Sequence, residues 1–209
     1  MKKENVNLPK ILTVLTKLFP EPKCALHYAK PLELLVAVIL SAQCTDKKVN
    51  EVTKELFKKY KTLNDYINAK PDELEKDIYS TGFYKAKAKN ILAAVQTIKK
   101  DFGGKIPKTM MEMITIPGVG RKTANVVLGE LYGTSEGIAV DTHVIRLSRL
   151  LGLTKYREAH KIERDLMVIV PKKDWVRFSH TLILYGREYC PARKHSHANC
   201  PLGKFYVKQ

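Results

Sequence analysis

No apolar run in this 209-residue sequence is long enough to cross a bilayer. The longest, Leu32 to Leu40, is interrupted by Glu33, whereas a spanning helix needs about 20 apolar residues. The opening Met1-Lys2-Lys3-Glu4-Asn5 leads into no signal-peptide core, so a cytoplasmic protein without membrane contact is expected. Cysteine is scarce: Cys24, Cys44, Cys190 and Cys200 form no CxxC pair, and in the cytosol they are expected to be reduced thiols. No convincing strand pattern, internal repeat or low-complexity tract occurs, which excludes solenoids and sheet-based folds. Acidic residues are also in deficit, 21 against 37 Lys and Arg, leaving a net charge of +16 and a pI near 9.6. That imbalance points to a polyanionic partner.

What is present is helical periodicity. Leu8, Ile11, Leu12, Leu15 and Leu18 form a stripe over residues 8–19, ended by Pro20. Pro31 suits the first turn of a helix. The following run contains Val36, Val38 and Ile39, so a buried strand competes; its unbroken length up to Thr45 favours a buried helix. Thr45 caps the next helix, which turns Val49, Val52, Leu56 and Tyr60 inward. A helix from Pro71 carries Leu74 and Ile78 inward and is expected to close at Gly82, with Phe83-Tyr84 at a loop tip. The next helix buries Ala88, Ile91, Leu92, Val95 and Ile98 and ends at Gly103-Gly104. Later, Ile162, Leu166 and Ile169 mark a helix stopped by Pro171. Trp175, Phe178, Leu182 and Tyr185 mark a last one closed by Gly186. The fold class is all-α.

The chain is organised around Ile114 to Arg149. Met110, Met113 and Ile114 precede the turn Ile116-Pro117-Gly118-Val119-Gly120, and Ala124, Val127, Leu128 and Leu131 follow it at i, i+3, i+4, i+7 spacing. Two short helices are therefore joined by a glycine hairpin. Gly118 and Gly120 let backbone amides point outward at the start of the second helix, where an anion such as phosphate is favoured. Arg121-Lys122 follow at once, and Asp141 lies nineteen residues beyond Lys122.

The run Pro117-Gly118-Val119-Gly120-Arg121-Lys122-Thr123-Ala124-Asn125, with Val140-Asp141-Thr142-His143 and the upstream Leu40-Ser41-Ala42-Gln43-Cys44-Thr45-Asp46, resembles the helix-hairpin-helix DNA glycosylases of the endonuclease III family. The similarity covers nearly the whole chain. It implies two helical lobes flanking a DNA-binding cleft: residues 22–132, containing the hairpin motif at about 109–131, and residues 1–21 with 133–209. Lys122 would face the cleft from one lobe and Asp141 from the other. The implied partner is duplex DNA carrying damaged bases or abasic sites, bound by a nucleoid-associated monomer.

The resemblance makes Lys122 the nucleophile and Asp141 its catalytic partner. An amine one turn behind a phosphate-gripping hairpin is placed beside a sugar, where it can attack C1′ and expel the base. The amine must be neutral to attack. Arg121 favours the neutral form, while Asp141 and the phosphates oppose it. Without that context Lys122 reads as a solvated helix lysine and Asp141 as an N-cap; capping and catalysis are compatible. Gln43 is implied to fill the hole left by a flipped nucleotide, and Phe83 occupies a second wedge position where leucine is more usual. Lys85 and Lys89 share a helix face and Lys87 does not, so a phosphate role for all three is not expected. Thr142 and His143 can contact the backbone or the lesion, although a histidine here more often serves structure.

The tail departs from the family. Its implied [4Fe–4S] pattern, C-x6-C-x2-C-x5-C, falls on Cys190, His197, Cys200 and Tyr206, leaving two thiolates of four. A zinc site of Cys190, His195, His197 and Cys200 is chemically possible, but its spacing matches no standard motif. The expectation is therefore no metal and no cofactor: the cluster is lost, and a basic tail with Arg193, Lys194, Lys204 and Lys208 is packed through Tyr189, Phe205 and Tyr206.

The reading is a bifunctional glycosylase and AP lyase acting on oxidised pyrimidines. A monofunctional mismatch glycosylase is disfavoured by Lys122, and a non-enzymatic DNA-binding protein by the pairing of Lys122 with Asp141. The charge excess yields the first prediction. The association constant for duplex DNA should fall steeply with salt, each phosphate contact adding about −0.9 to the log–log slope. A slope shallower than about −2 would contradict a phosphate-gripping surface.

Overall fold

The computed structural model describes residues 7–207; the readings of Met1 to Asn5 and of Lys208 lie outside them. Among the described residues there are helices and no strand: α1 (Leu8–Leu18), α2 (Pro31–Leu40), α3 (Asp46–Lys59), α4 (Leu63–Ile67), α5 (Pro71–Asp77), α6 (Tyr84–Asp101), α7 (Met110–Met113), α8 (Arg121–Tyr132), α9 (Thr142–Leu150), α10 (Ala159–Ile169) and α11 (Trp175–Glu188). They divide into two compact units. One is Cys24–Thr134; the other combines the chain up to Lys23 with the stretch from Ser135 onward.

In the first unit α2 is the central helix. Every residue from Leu34 to Leu40 is buried, and a helix apolar on all sides belongs inside a core. The helix outcome over a strand follows from its start. Pro31 sits in the first turn, and the Glu33 carboxylate accepts from the backbone N–H of Ala29 at 2.7 Å and Lys30 at 3.2 Å. Around it pack Val49 and Leu56 of α3, Leu74 of α5, Ile91, Val95 and Ile98 of α6, and Ala124, Val127 and Leu128 of α8. Thr45 caps α3 as expected, its side chain accepting from Lys48 N–H. The short α4 went unread in the sequence, although Thr62 and Asp65 form a reciprocal capping box there.

Three boundaries differ from expectation. α5 stops at Asp77, and a 3-10 turn over Tyr79–Thr81 intervenes before Gly82. Phe83 is the residue from which α6 starts, so Tyr84 is already helical. α7 is a single turn, and Ile114 is half exposed (51%) because Ile116 and Val119 supply the apolar contacts the hairpin needs.

The second unit packs α1, α9, α10 and α11 around Ile11, Leu15, Val144, Leu147, Ile162, Leu166, Phe178, Leu182 and Tyr185. Ile169 is not part of this core; at the end of α10 it faces solvent. α11 runs through Gly186 to Glu188 instead of closing there. The glycine serves close packing: a Cβ on Gly186 would lie 2.5 Å from His143 Nδ1 and 3.2 Å from Leu147 Cδ1, both on α9. Gly186→Ala should therefore lower stability by about 1–3 kcal/mol, the cost of overpacking exceeding the helix-propensity gain of about 1 kcal/mol. Denaturant unfolding measures this; an unchanged or raised midpoint would show that His143 moves aside freely.

Candidate nucleic-acid site

The hairpin is built from one strained and one ordinary glycine. Gly118 has φ +78°, and a Cβ there would meet Asn90 Cβ on α6 at 2.8 Å. It is a position for glycine on both counts. Gly120 differs from the expectation that it supplies backbone freedom. Its φ of −88° suits any residue, and an added Cβ would meet nothing within 4 Å. What Gly120 provides is bareness. It is the N-cap of α8 and carries no capping side chain, so the first amides of the helix have no side-chain acceptor at that position. Val119 N–H is used within the turn, donating to Ile116 carbonyl at 3.0 Å.

Arg121 and Lys122 occupy the first turn of α8 and are exposed, while Ala124 behind them is fully buried. Among the described residues the Lys122 amine has no hydrogen-bond or ion-pair partner. The helix is anchored by its apolar face, and the amine projects from the opposite one.

Gln43 and Phe83 share an unusual feature. They are the two non-glycine residues with positive φ among those described, at 51° and 48°. The left-handed region costs an L-residue on the order of 1–2 kcal/mol, and such strain gathers at functional sites. Gln43 lies between the end of α2 and Thr45, exposed; Phe83 is 66% exposed. The two turns are tied by a residue the sequence reading set aside. Lys87, in the first turn of α6, is 4% exposed, and its Nζ donates to Leu40 carbonyl and to Thr81 carbonyl, each at 2.8 Å. One carbonyl ends α2 three residues before Gln43; the other lies two residues before Phe83. Burial pushes the Lys87 ammonium below the usual lysine range. Its place off the Lys85–Lys89 face was the available signal: a lysine beside Ala88 on the apolar side of a helix needs internal acceptors.

Asp141, Thr142 and His143 lie in the other unit. Asp141 is the N-cap of α9, its Oδ1 accepting from Val144 N–H at 2.8 Å. The second carboxylate oxygen has no partner among the described residues. Thr142 is exposed at the first helical position. His143 is half-buried against the Gly186 backbone, the structural role given to it as the commoner one.

In the same unit, Cys190, His195, His197 and Cys200 come together, with one ligand atom from each lying within 4.8 Å of all the others. The four could hold a metal ion. Spacing along the chain argued against this; the folded loop removes that argument. The set does not fit a [4Fe–4S] cubane, which takes four thiolates. Tyr206, at the fourth implied position, places its hydroxyl 3.1 Å from that of Tyr185 and its ring edge-on to His197.

Comparison with known proteins agrees with this geometry. A family model described as HhH-GPD superfamily base excision DNA repair protein matches residues 36–172. The chain is 50% identical to endonuclease III of Synechocystis sp. over 192 residues, covering 92% of this chain and 88% of that one. Identity to endonuclease III of Bacillus subtilis is 47% over 201 residues, with 94% and 91% covered. Among solved structures, a trapped endonuclease III–DNA covalent intermediate superposes with a TM-score of 0.91 at 42% identity, over 99% of this chain and 96% of that one.

Lys87 gives a prediction that needs no substrate. Lys87→Met keeps the volume and removes the donor to both carbonyls, at an expected stability cost of about 1–3 kcal/mol. Native-state hydrogen exchange should show amides 41–44 and 79–83 speeding up together while those of α9 and α11 do not. Acceleration of one segment alone would mean that Lys87 does not couple the two turns.

Proposed function

The chain belongs to the HhH-GPD superfamily of base excision DNA repair proteins, and on that basis we propose that it is a bifunctional DNA glycosylase and AP lyase acting on oxidised pyrimidines in duplex DNA. The observation that carries the reading is Lys122: an exposed amine without a partner, one residue into the helix that the Gly118–Gly120 hairpin opens. A DNA phosphate accepted by the bare α8 amides, with Arg121 beside it, sets the register along the backbone without reading sequence. Gln43 and Phe83, held by Lys87, enter the stack where a damaged nucleotide leaves it. Their pre-formed left-handed turns spare the DNA complex the cost of ordering them.

The chemistry is then covalent. The neutral Lys122 amine attacks C1′, the C1′–N bond breaks, and the base departs with a proton. The C1′–O4′ bond then breaks, O4′ taking a proton, and the opened sugar is held as an iminium that acidifies the C2′ proton; loss of that proton expels the 3′ phosphate by β-elimination, and water later releases the lysine. Asp141 stabilises positive charge at C1′ and takes part in moving the amine's proton. The helix cap orients its carboxylate, leaving one oxygen for the reaction. Thr142 lies beside it for a backbone contact, and His143 supports α9. The enzyme is proposed to work as a monomer in the cytoplasm, on nucleoid DNA, without an iron–sulfur cluster. No step of the reaction draws on one.

Borohydride reduction should trap a covalent complex between the protein and a duplex carrying thymine glycol, and Lys122→Ala should abolish it. Trapping at the wild-type level in that variant would assign the amine elsewhere. Asp141→Asn should slow base release by at least about 100-fold with DNA affinity kept, since one charge changes with little change in shape. Near-normal turnover would reduce Asp141 to a helix cap. A panel of thymine glycol, dihydrouracil, uracil, abasic and A:G duplexes, scored separately for base loss and nicking, distinguishes the lyase from a mismatch glycosylase. Base loss without nicking on A:G alone would favour the latter.

A further inference from the structure

We propose that Cys190, His195, His197 and Cys200 form a closed, structural zinc site in place of the iron–sulfur cluster. Zinc–sulfur bonds of about 2.3 Å and zinc–nitrogen bonds of about 2.0–2.1 Å in a tetrahedron require ligand atoms about 3.4–3.8 Å apart. The observed separations are 3.3 Å from His195 Nε2 to Cys200 Sγ, 3.7 Å from His197 Nδ1 to Cys200 Sγ and 3.8 Å from His197 Nδ1 to Cys190 Sγ. The widest separation, at most 4.8 Å, exceeds a tetrahedral edge by about 1–1.4 Å. His197 is exposed and His195 half-buried, so neither imidazole is locked inside the core.

The surroundings are those a metal site uses. His195 Nδ1 lies 2.8 Å from Arg193 carbonyl. That contact places the proton on Nδ1 and leaves the Nε2 lone pair facing the cluster, the second-sphere arrangement usual for ligating histidine. Arg146 Nη1 donates to Cys190 Sγ at 3.4 Å, and Nη2 to Cys190 carbonyl, which fixes the position of the sulfur. His197 and Cys200 are brought to the same side by a 3-10 turn over His197–Asn199, in which residues three apart eclipse. Gly203 seals the turn, because a Cβ there would collide with His197 carbonyl. Two thiolates neutralise one divalent ion, whereas four irons bridged by sulfide would lack half their protein ligands. All four tetrahedral positions are filled from the chain, so the ion has no open site for a substrate water and serves structure. Among common divalent metals, the S2N2 tetrahedron favours zinc.

The test uses the full chain purified anaerobically with reductant. Elemental analysis should return one zinc per chain and no sulfide. After zinc is removed with a chelator, titration with Co2+ should give the intense visible d–d bands and thiolate charge-transfer band of tetrahedral S2N2 cobalt, saturating at one equivalent. His195→Gln and His197→Gln alter ligands outside the buried core, so the fold should survive in both. Each should lower Co2+ affinity by at least about 100-fold, more than a second-sphere change would. Chelation should lower the wild-type Tm by roughly 5–10 °C and leave that of His197→Gln unchanged. Stoichiometric iron and sulfide would overturn the proposal. So would zinc or cobalt binding unaffected by both histidine substitutions, or no cobalt spectrum at saturating metal. None of these readouts depends on DNA chemistry, so failure here leaves the glycosylase reading standing, and failure of that reading leaves the metal site standing.

Discussion

Two turns of the first unit depend on one buried ammonium. Lys87 lies inside the unit with two backbone carbonyls as its acceptors, and a charge in that position is stable only while both oxygens are held to it. The constraint runs in both directions. The carbonyls belong to the end of α2 and to the 3-10 turn before α6, so the lysine fixes where each segment stops being regular. Shortly beyond each stop a non-glycine residue turns left-handed, at Gln43 and, after Gly82, at Phe83. Strain at two exposed side chains is thus held by a hydrogen-bonded centre below them.

The same helix supports the hairpin. Asn90, one turn after Lys87 on α6, lies so close under Gly118 that no side chain fits there. α6 therefore references the Gln43 and Phe83 turns and the glycine hairpin to a single rigid element, which in the proposed function would let the site act on DNA whose sequence it does not read. A helix is better suited to this than a loop, since a displacement of about 1 Å between grip and wedge would misplace C1′ relative to an amine that must approach within bonding distance.

Most of the all-α architecture was legible because helical periodicity, proline at first turns and capping residues agree along the chain. α2 was readable by length, and Thr45 and Asp141 by their capping positions. What the sequence hid was tertiary in origin. Gly186 looks like a helix stop and is a packing contact with His143. Gly120 looks like a flexible hinge and is a bare cap. Lys87 looks like one of three basic residues in a row, yet its acceptors lie 47 and 6 residues away. The C-terminal ligand set failed a spacing argument because motif spacings describe known loops, while ligation depends only on where four atoms meet.

Charge sets the remaining balance. A net +16 draws the chain to DNA, and in the proposed reaction Lys122 meets that DNA as an exposed side chain. Water leaves an exposed side chain as DNA covers it, and the cost is lower when no protein partner has to be given up as well. Lys122 is well placed for this because nothing in its own unit holds it. An ion pair formed beforehand would stabilise the ammonium and would have to break before catalysis. In the proposed reaction, exposure of Lys122 in the free protein is therefore part of how the nucleophile would work. Asp141 is secured differently, by a helix cap that fixes its carboxylate at the start of α9.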